Sequence, residues 1–357
     1  MRETDESVSP RPATRRQFLG AVGLTSVGGA ALASGVFAPA LVEAADGRLR
    51  LPNAAAIRDY TNSHFSLDLE GTNAGFIDDV SGGSAYGEVI TEQLGADRIA
   101  RKHIGAVHYE PFTLSFGTAM SQNAYDWISG TLNRKNPRHS GAVVSSDFDF
   151  NVQSNVSFLN ALLTEVTFPA VDGGSKDSAK MTIKFAPEST KADPVAKGTA
   201  QSGKFTTKGQ KKWTANNFRL TIGGLDTSKV NHVDAITVKQ VVSDPGLGEL
   251  RDFQKQDARL DIPNIVVTMS EASAADWFAW HQDFVVRGNN RPENEKSGTL
   301  EYLAADQKET LFTLDLKNLG IFRLAPEKAQ AGQESIRRVR AEMYCEEISF
   351  SQKTASA

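Results

Sequence analysis

One short stretch occurs twice, and it constrains the chain more than any other feature. His64-Phe65-Ser66-Leu67-Asp68-Leu69-Glu70-Gly71 returns as Asn217-Phe218-Arg219-Leu220-Thr221-Ile222-Gly223-Gly224. Phe aligns with Phe, Leu with Leu, Leu69 with Ile222 and Gly71 with Gly224. Each copy alternates apolar and other residues, the pattern of a strand with one buried face. The alternation recurs in Phe112–Phe116, Phe148–Val152 and Met181–Phe185. Pro111 precedes one such strand, and Pro263 precedes another, Ile265–Met269. An ordered series that restarts after roughly 150 residues is a duplicated domain, since the period is too long for a solenoid unit. The expected fold is therefore mainly β, with two tandem antiparallel barrel or sandwich domains.

Each half also predicts one helix. Ser121 is placed to cap Gln122–Leu132, where Ala124, Trp127, Ile128 and Leu132 share a face at helical spacing. In the second half Ser273 takes the capping place, and Asp276 three residues on makes an imperfect capping box. Trp277, Trp280, Phe284 and Val285 supply the apolar stripe there. The tryptophans are expected to pack each helix onto its sheet. Both helices run into basic loops. The first holds Arg134, Lys135, Arg138 and His139; the second holds Arg287 and Arg291 and reaches Ser297-Gly298. Cations there suit the negative end of a helix dipole. These loops read either as solvated connections or as contacts between subunits.

Composition shifts set the boundaries. Pro187 to Lys212 is rich in Lys, Thr, Ser, Gly and Ala, with Phe205 its large apolar exception. We read 188–213 as a linker or long exposed loop, 60–187 as the first β domain and 214–352 as the second. Residues 1–44 form a different kind of segment. Arg15-Arg16 precede Phe18-Leu19, a Gly- and Ala-rich apolar run follows, and Val42-Glu43-Ala44 makes a small-residue cut site before Ala45. This is a secretory signal of the twin-arginine type, although Gly20 stands where Lys is common. It predicts export to the periplasm or beyond. An uncleaved membrane anchor is the alternative, and a non-functional extension would leave the protein cytoplasmic or virion-associated. No later run is long and apolar enough to span a membrane.

The chain has 357 residues and a formal charge of -4. With a pI near 5.9, it lacks the basic footprint of a nucleic-acid binder. Cys345 is the single cysteine, so there is no intrachain disulfide. No nucleophile elbow, His-Glu-x-x-His or phosphate loop occurs. His103 and His108 lie five apart without an evident third ligand. Met343 and Cys345 lack a following His for a copper site. Asp68, Glu70, Asp78 and Asp79 lack the spacing of a calcium loop. No catalytic residue, metal ligand or cofactor is assigned, and no enzymatic activity is expected.

An ordered string of residues resembles a known family. It runs Phe65–Gly71, Ala74-Gly75-Phe76, Val80-Ser81-Gly82-Gly83 and the charged run from Glu88 to Glu92. Arg101-Lys102-His103-Ile104-Gly105, Pro111–Leu114, Asp126-Trp127-Ile128, Asn133-Arg134-Lys135 and Phe168-Pro169 follow. Across 64–186 this is similar to the tail tube proteins of contractile bacteriophages, and more distantly to the type VI secretion tube protein. The second half keeps fewer of these marks. The resemblance implies two tail-tube-like β-barrels, each with one flanking helix. It further implies a non-enzymatic structural role in rings or a tube, with strand edges as the interfaces between copies. By our inference, three copies of a duplicated chain would complete a six-domain ring. Tail or secretion-apparatus proteins are the implied partners, and Arg134, Lys135, Arg138, Arg287 and Arg291 the candidate assembly-loop residues. Two rivals stand beside this reading: a monomeric envelope module presenting aromatic side chains to a ligand, and a hydrolase of unfamiliar type.

Overall fold

A computed structural model describes residues 64–93, 99–196, 199–201, 213–243, 255–328 and 336–352. The signal segment lies outside these residues, as do 197–198 and 202–212 of the stretch read as a linker. The first half contains β1 (His64–Leu69), β2 (Thr72–Ile77), β3 (Asp79–Ser81), β4 (Ala85–Glu92), β5 (Arg101–Tyr109), β6 (Phe112–Phe116) and α1 (Gln122–Leu132). After it come β7 (His139–Ser146), β8 (Val152–Phe168), β9 (Val171–Asp172), β10 (Met181–Ala186) and β11 (Ser189–Asp193). The second half contains β12 (Phe218–Ile222), β13 (Val230–Val233), β14 (Ile236–Ser243), β15 (Gln256–Asp261), β16 (Ile265–Ser270) and α2 (Ala275–His281). It ends with β17 (Lys296–Leu303), β18 (Thr310–Pro326) and β19 (Arg338–Gln352). The fold is mainly β and antiparallel, with one helix flanking each half.

Strand pairing runs in the same order in both halves. The first sheet follows β2-β1-β7-β8-β10-β6-β3, with β11 also on β8. The second follows β12-β17-β18-β19-β16-β13-β9. Thus β12 takes the place of β1, β17 that of β7, β18 that of β8, β16 that of β6 and β13 that of β3. The single strand β19 covers the ground of β10 and β11 together. Local detail matches too. Gly71 and Gly224 close their turns at φ +77° and +74°, a conformation glycine adopts without cost. Asn160 in β8 and Asn318 in β18 both have positive φ, 48° and 55°, which Asn tolerates better than most residues. Asn160 Nδ2 donates to Glu188 at 2.9 Å, and Asn318 Nδ2 donates to Glu346 at 2.9 Å. Each Asn sits at a register shift near the end of its long strand's pairing with β7 or β17.

The sequence pattern places β1, β6, β10, β12, β16 and α1 within a residue or two. Leu67, Leu69, Phe112, Leu114, Phe116 and Ile183 are buried, as the alternation requires. The segment Phe148–Val152 differs from its expectation. Asp147 accepts from the backbone N–H groups of Asp149 and Asn151, each at 2.9 Å, and the carboxylate turn outcompetes extension. These hydrogen bonds, that from Asn151 first, hold the Asp147 pKa below its usual value. β8 starts only at Val152, and Phe148 is exposed. Within the stretch read as a linker, residues 189–193 form β11 and extend β8, Thr190 opposite Phe158.

The helix caps also differ from expectation. Ser121 occupies the N-cap of α1, but its side chain makes no capping bond. Its backbone N–H donates to Ala74 O at 2.7 Å instead, tying the helix start to β2. At the other end Arg134 takes φ +60°, and Lys135 N donates to Gly130 O at 2.9 Å, a left-handed stop built without glycine. In the second half Ser273 Oγ donates to Ser270 O at 3.2 Å and lies in a 3-10 turn, Glu271–Ser273. α2 begins two residues later and passes into a π turn, Gln282–Val286. The wider π turn rotates the helical face. Trp277, Trp280 and Phe284 are buried as expected, whereas Val285 turns outward.

Candidate assembly interface

The two halves are joined edge to edge. The C-terminal end of β8 continues past β7 and pairs with β14, setting Glu165, Val166, Thr167 and Phe168 opposite Lys239, Val238, Thr237 and Ile236. Val166, Phe168, Ile236 and Val238 are all buried, and Thr167 and Thr237 share a hydroxyl hydrogen bond of 3.0 Å. β9 adds a second joint by pairing with β13. Beside it His232 Nδ1 lies 3.4 Å from Asp172, its Nε2 3.1 Å from Asp234, and Arg340 donates to Asp234 at 2.8 Å.

α1 packs across the same joint. Tyr125 is 1% exposed, with its ring centroid 5.4 Å from that of Phe312 and 6.2 Å from that of Phe350. Ser129 Oγ donates to Phe350 O at 3.1 Å. On the core side of the helix, Trp127 Nε1 donates to Pro137 O at 3.0 Å, and in α2 Trp277 Nε1 donates to Asp226 O at 2.9 Å.

The candidate loop residues take different roles. Arg138 points into the joint: it donates to Glu188 at 2.6 Å and to the Lys255 carbonyl beside β15. Its neighbour Asn136 donates to Asp257 in β15. Arg134 and Lys135 are exposed. Arg287 and Arg291 are exposed in the second loop, with Asp283 and Glu293 3.8 Å away respectively. Among the described residues no hydrogen bond or ion pair joins the two loops. The other residues weighed for chemistry are spread out. Lys180 sits 3.3 Å from Asp78 and 3.9 Å from Asp79, and Glu70 lies 3.4 Å from His139. His108 stacks on Tyr86 at 5.4 Å. Burial pushes the Cys345 thiol up to about 11.

Sequence reasoning missed several surfaces. β4 and β5 form a separate hairpin, and every residue of β4 is exposed. Tyr86, Val89, Ile90 and Ile104 stand out on it as large exposed apolar groups. Phe278, Val285 and Val286 form a second such patch on α2 and its π turn. One signal was available in the sequence. Tyr125 stands two residues before Trp127, and Phe278 two before Trp280, an aromatic off the core stripe at the same place in both helices.

No protein-family model and no curated protein matches the chain. Solved structures similar to part of this chain include a chain of the anti-feeding prophage baseplate. It has 10% identity and TM-score 0.32, covering 38% of this chain and 91% of that one. Another is a chain of the sheath–tube complex of an extracellular contractile injection system, PVC, in its extended state. It has 15% identity and TM-score 0.32, covering 42% of this chain and 100% of that one. A chain of the anti-feeding prophage cap is also similar, at 15% identity and TM-score 0.29, covering 40% of this chain and 93% of that one.

Proposed function

We propose that this protein is a non-enzymatic structural component that associates with copies of itself through strand edges, building rings or a tube. The observation that carries this reading is the β8–β14 pairing. It is an edge-to-edge joint of the kind that copies would use, already made once inside the chain. The resemblance of residues 64–186 to tail tube proteins supports the same reading, and we take the repeated pairing order to reflect a duplicated domain. Three copies would then supply six domains to a ring. The partners that fit are further copies and other components of a tail or secretion apparatus. Light scattering of the purified protein is expected to show a mass that rises with concentration, and microscopy to show rings or tubes. A monomer at every concentration, with neither assembly, would end this reading.

The alternative, a monomeric envelope module, would be supported by exposed tryptophans. Trp127, Trp277 and Trp280 are buried, which weakens it. Export by the twin-arginine route stays part of our proposal, on the strength of Arg15-Arg16 and the cut site at Val42-Glu43-Ala44. Mass spectrometry of the exported protein should find a chain beginning at Ala45. An intact Met1 form confined to the cytoplasm would refute export.

A further inference from the structure

We infer that copies of this chain join head to tail, with Phe278 of one copy seated beside Ser154 and Ala192 of the next. In the same joint the start of the β4–β5 hairpin of that next copy pairs with Arg323–Pro326. This rests on the self-association proposed above and names its surfaces and polarity.

The internal joint has a donor side, made of the end of β8 and the outer face of α1. It has an acceptor side, made of β14 and the surface around Phe312 and Phe350. The matched pairing order carries each part to an equivalent. Val166 pairs with Ile183 of β10, and Leu324 pairs with Ala341 of β19, so the end of β18 stands where the end of β8 stands. β17 reaches no further along β18 than Leu319. Among the described residues, no strand covers that edge of Arg323–Pro326.

The helical part of the donor side shows the same vacancy. Tyr125, in the first half, is 1% exposed because Phe312 and Phe350 cover it. Phe278, at the same place in α2, is 42% exposed. A large aromatic ring left in water at a place where its counterpart is buried marks an interface waiting for a partner.

The acceptor side lies at the other end of the chain. β4 stands where β14 stands, and among the described residues it pairs with β5 alone. Val80 opposite Leu114 corresponds to Val233 opposite Val267, and Tyr86 opposite His108 corresponds to Lys239 opposite Asp261, so Gly83–Tyr86 match Ile236–Lys239. Tyr302 opposite Phe312 corresponds to Ser145 opposite Ser154, and Leu314 opposite Phe350 corresponds to Val156 opposite Ala192. Ser154 and Ala192 are exposed and small. They leave room for the Phe278 ring where Phe312 and Phe350 fill the space in the internal joint.

Donor and acceptor sides are different surfaces, so the contact is heterologous and continues from copy to copy until a ring closes or a filament grows. The new joint is weaker than the internal one. Pro326 stands where Phe168 stands and has no N–H to offer, so the ladder has one donor fewer.

The test uses the full chain with Cys345→Ser as background. Ala85→Cys is made in one preparation and Leu324→Cys in another, since these positions match the directly opposed Val238 and Val166. Mixing under mild oxidation is expected to give a disulfide-linked pair containing one of each, in excess over like pairs. Phe278→Glu in the unaltered chain is expected to weaken self-association by roughly tenfold or more, with the circular dichroism unchanged. Self-association with no mixed pair and no effect of Phe278→Glu would overturn this interface and leave the structural role standing. A protein that never self-associates would overturn both.

Discussion

Replacing Tyr125 with alanine is expected to lower the stability of the whole protein by about 3–5 kcal/mol, the usual cost of truncating a buried aromatic. The thermal midpoint should fall by roughly 10 °C in a chain of this size. The Tyr125 ring sits on α1 of the first half, yet its aromatic neighbours are Phe312 and Phe350 of the second. Its loss therefore loosens the joint between halves as well as the helix that bears it. Tyr125→Phe keeps the ring contacts and should shift the midpoint little. Differential scanning calorimetry of the three proteins checks this. If alanine at 125 left the midpoint unchanged, the helix would not be holding the two halves together. If it split one transition into two, the halves would be shown to unfold as separate units.

The second large effect is expected at Gly82, in the turn that launches the β4–β5 hairpin. Gly82 has φ +85°, and an added Cβ would overlap the carbonyl oxygen of Pro111. A valine there meets both problems at once: a left-handed conformation that β-branched residues resist, and a backbone atom that cannot swing aside. Together these cost about 2–5 kcal/mol. If the chain still folds, the turn has to open, and the hairpin leaves its direction. Gly82→Val should therefore lose self-association along with stability. Urea titration and light scattering on the same samples test the two effects. Unchanged stability would mean that the turn does not need its glycine. Lowered stability with full self-association would mean that the hairpin takes no part in assembly.

Much of the architecture was legible because it depends on local pattern. Alternation in Phe65–Leu69 and Phe112–Phe116 requires one buried face, and helical spacing from Ala124 to Leu132 requires another. Both signals lie within a few residues of each other. The repeat of Phe65–Gly71 in Phe218–Gly224 marks β1 and β12, which stand at matching places in their sheets. What escaped was set by groups distant in the chain. Arg138 reads as a surface cation until Glu188 and the Lys255 carbonyl arrive beside it. Tyr125 lies off the stripe that packs on its own sheet, and its burial comes from strands of the other half. The turn at Asp147 was missed for a different reason. Its alternation favours a strand, and the hydrogen bonds of the Asp147 carboxylate and backbone decide against it.

The β8–β14 joint also bears on how an assembly would begin. Two halves linked in one chain meet at a high effective concentration, and their first association needs no encounter between separate molecules. The loss of translational and rotational freedom that two free domains would suffer on joining is largely avoided. A ring of a given number of domains then needs half as many molecules to find one another. The threshold concentration for assembly should fall accordingly, and breakage should occur at every second joint, where only non-covalent contacts hold.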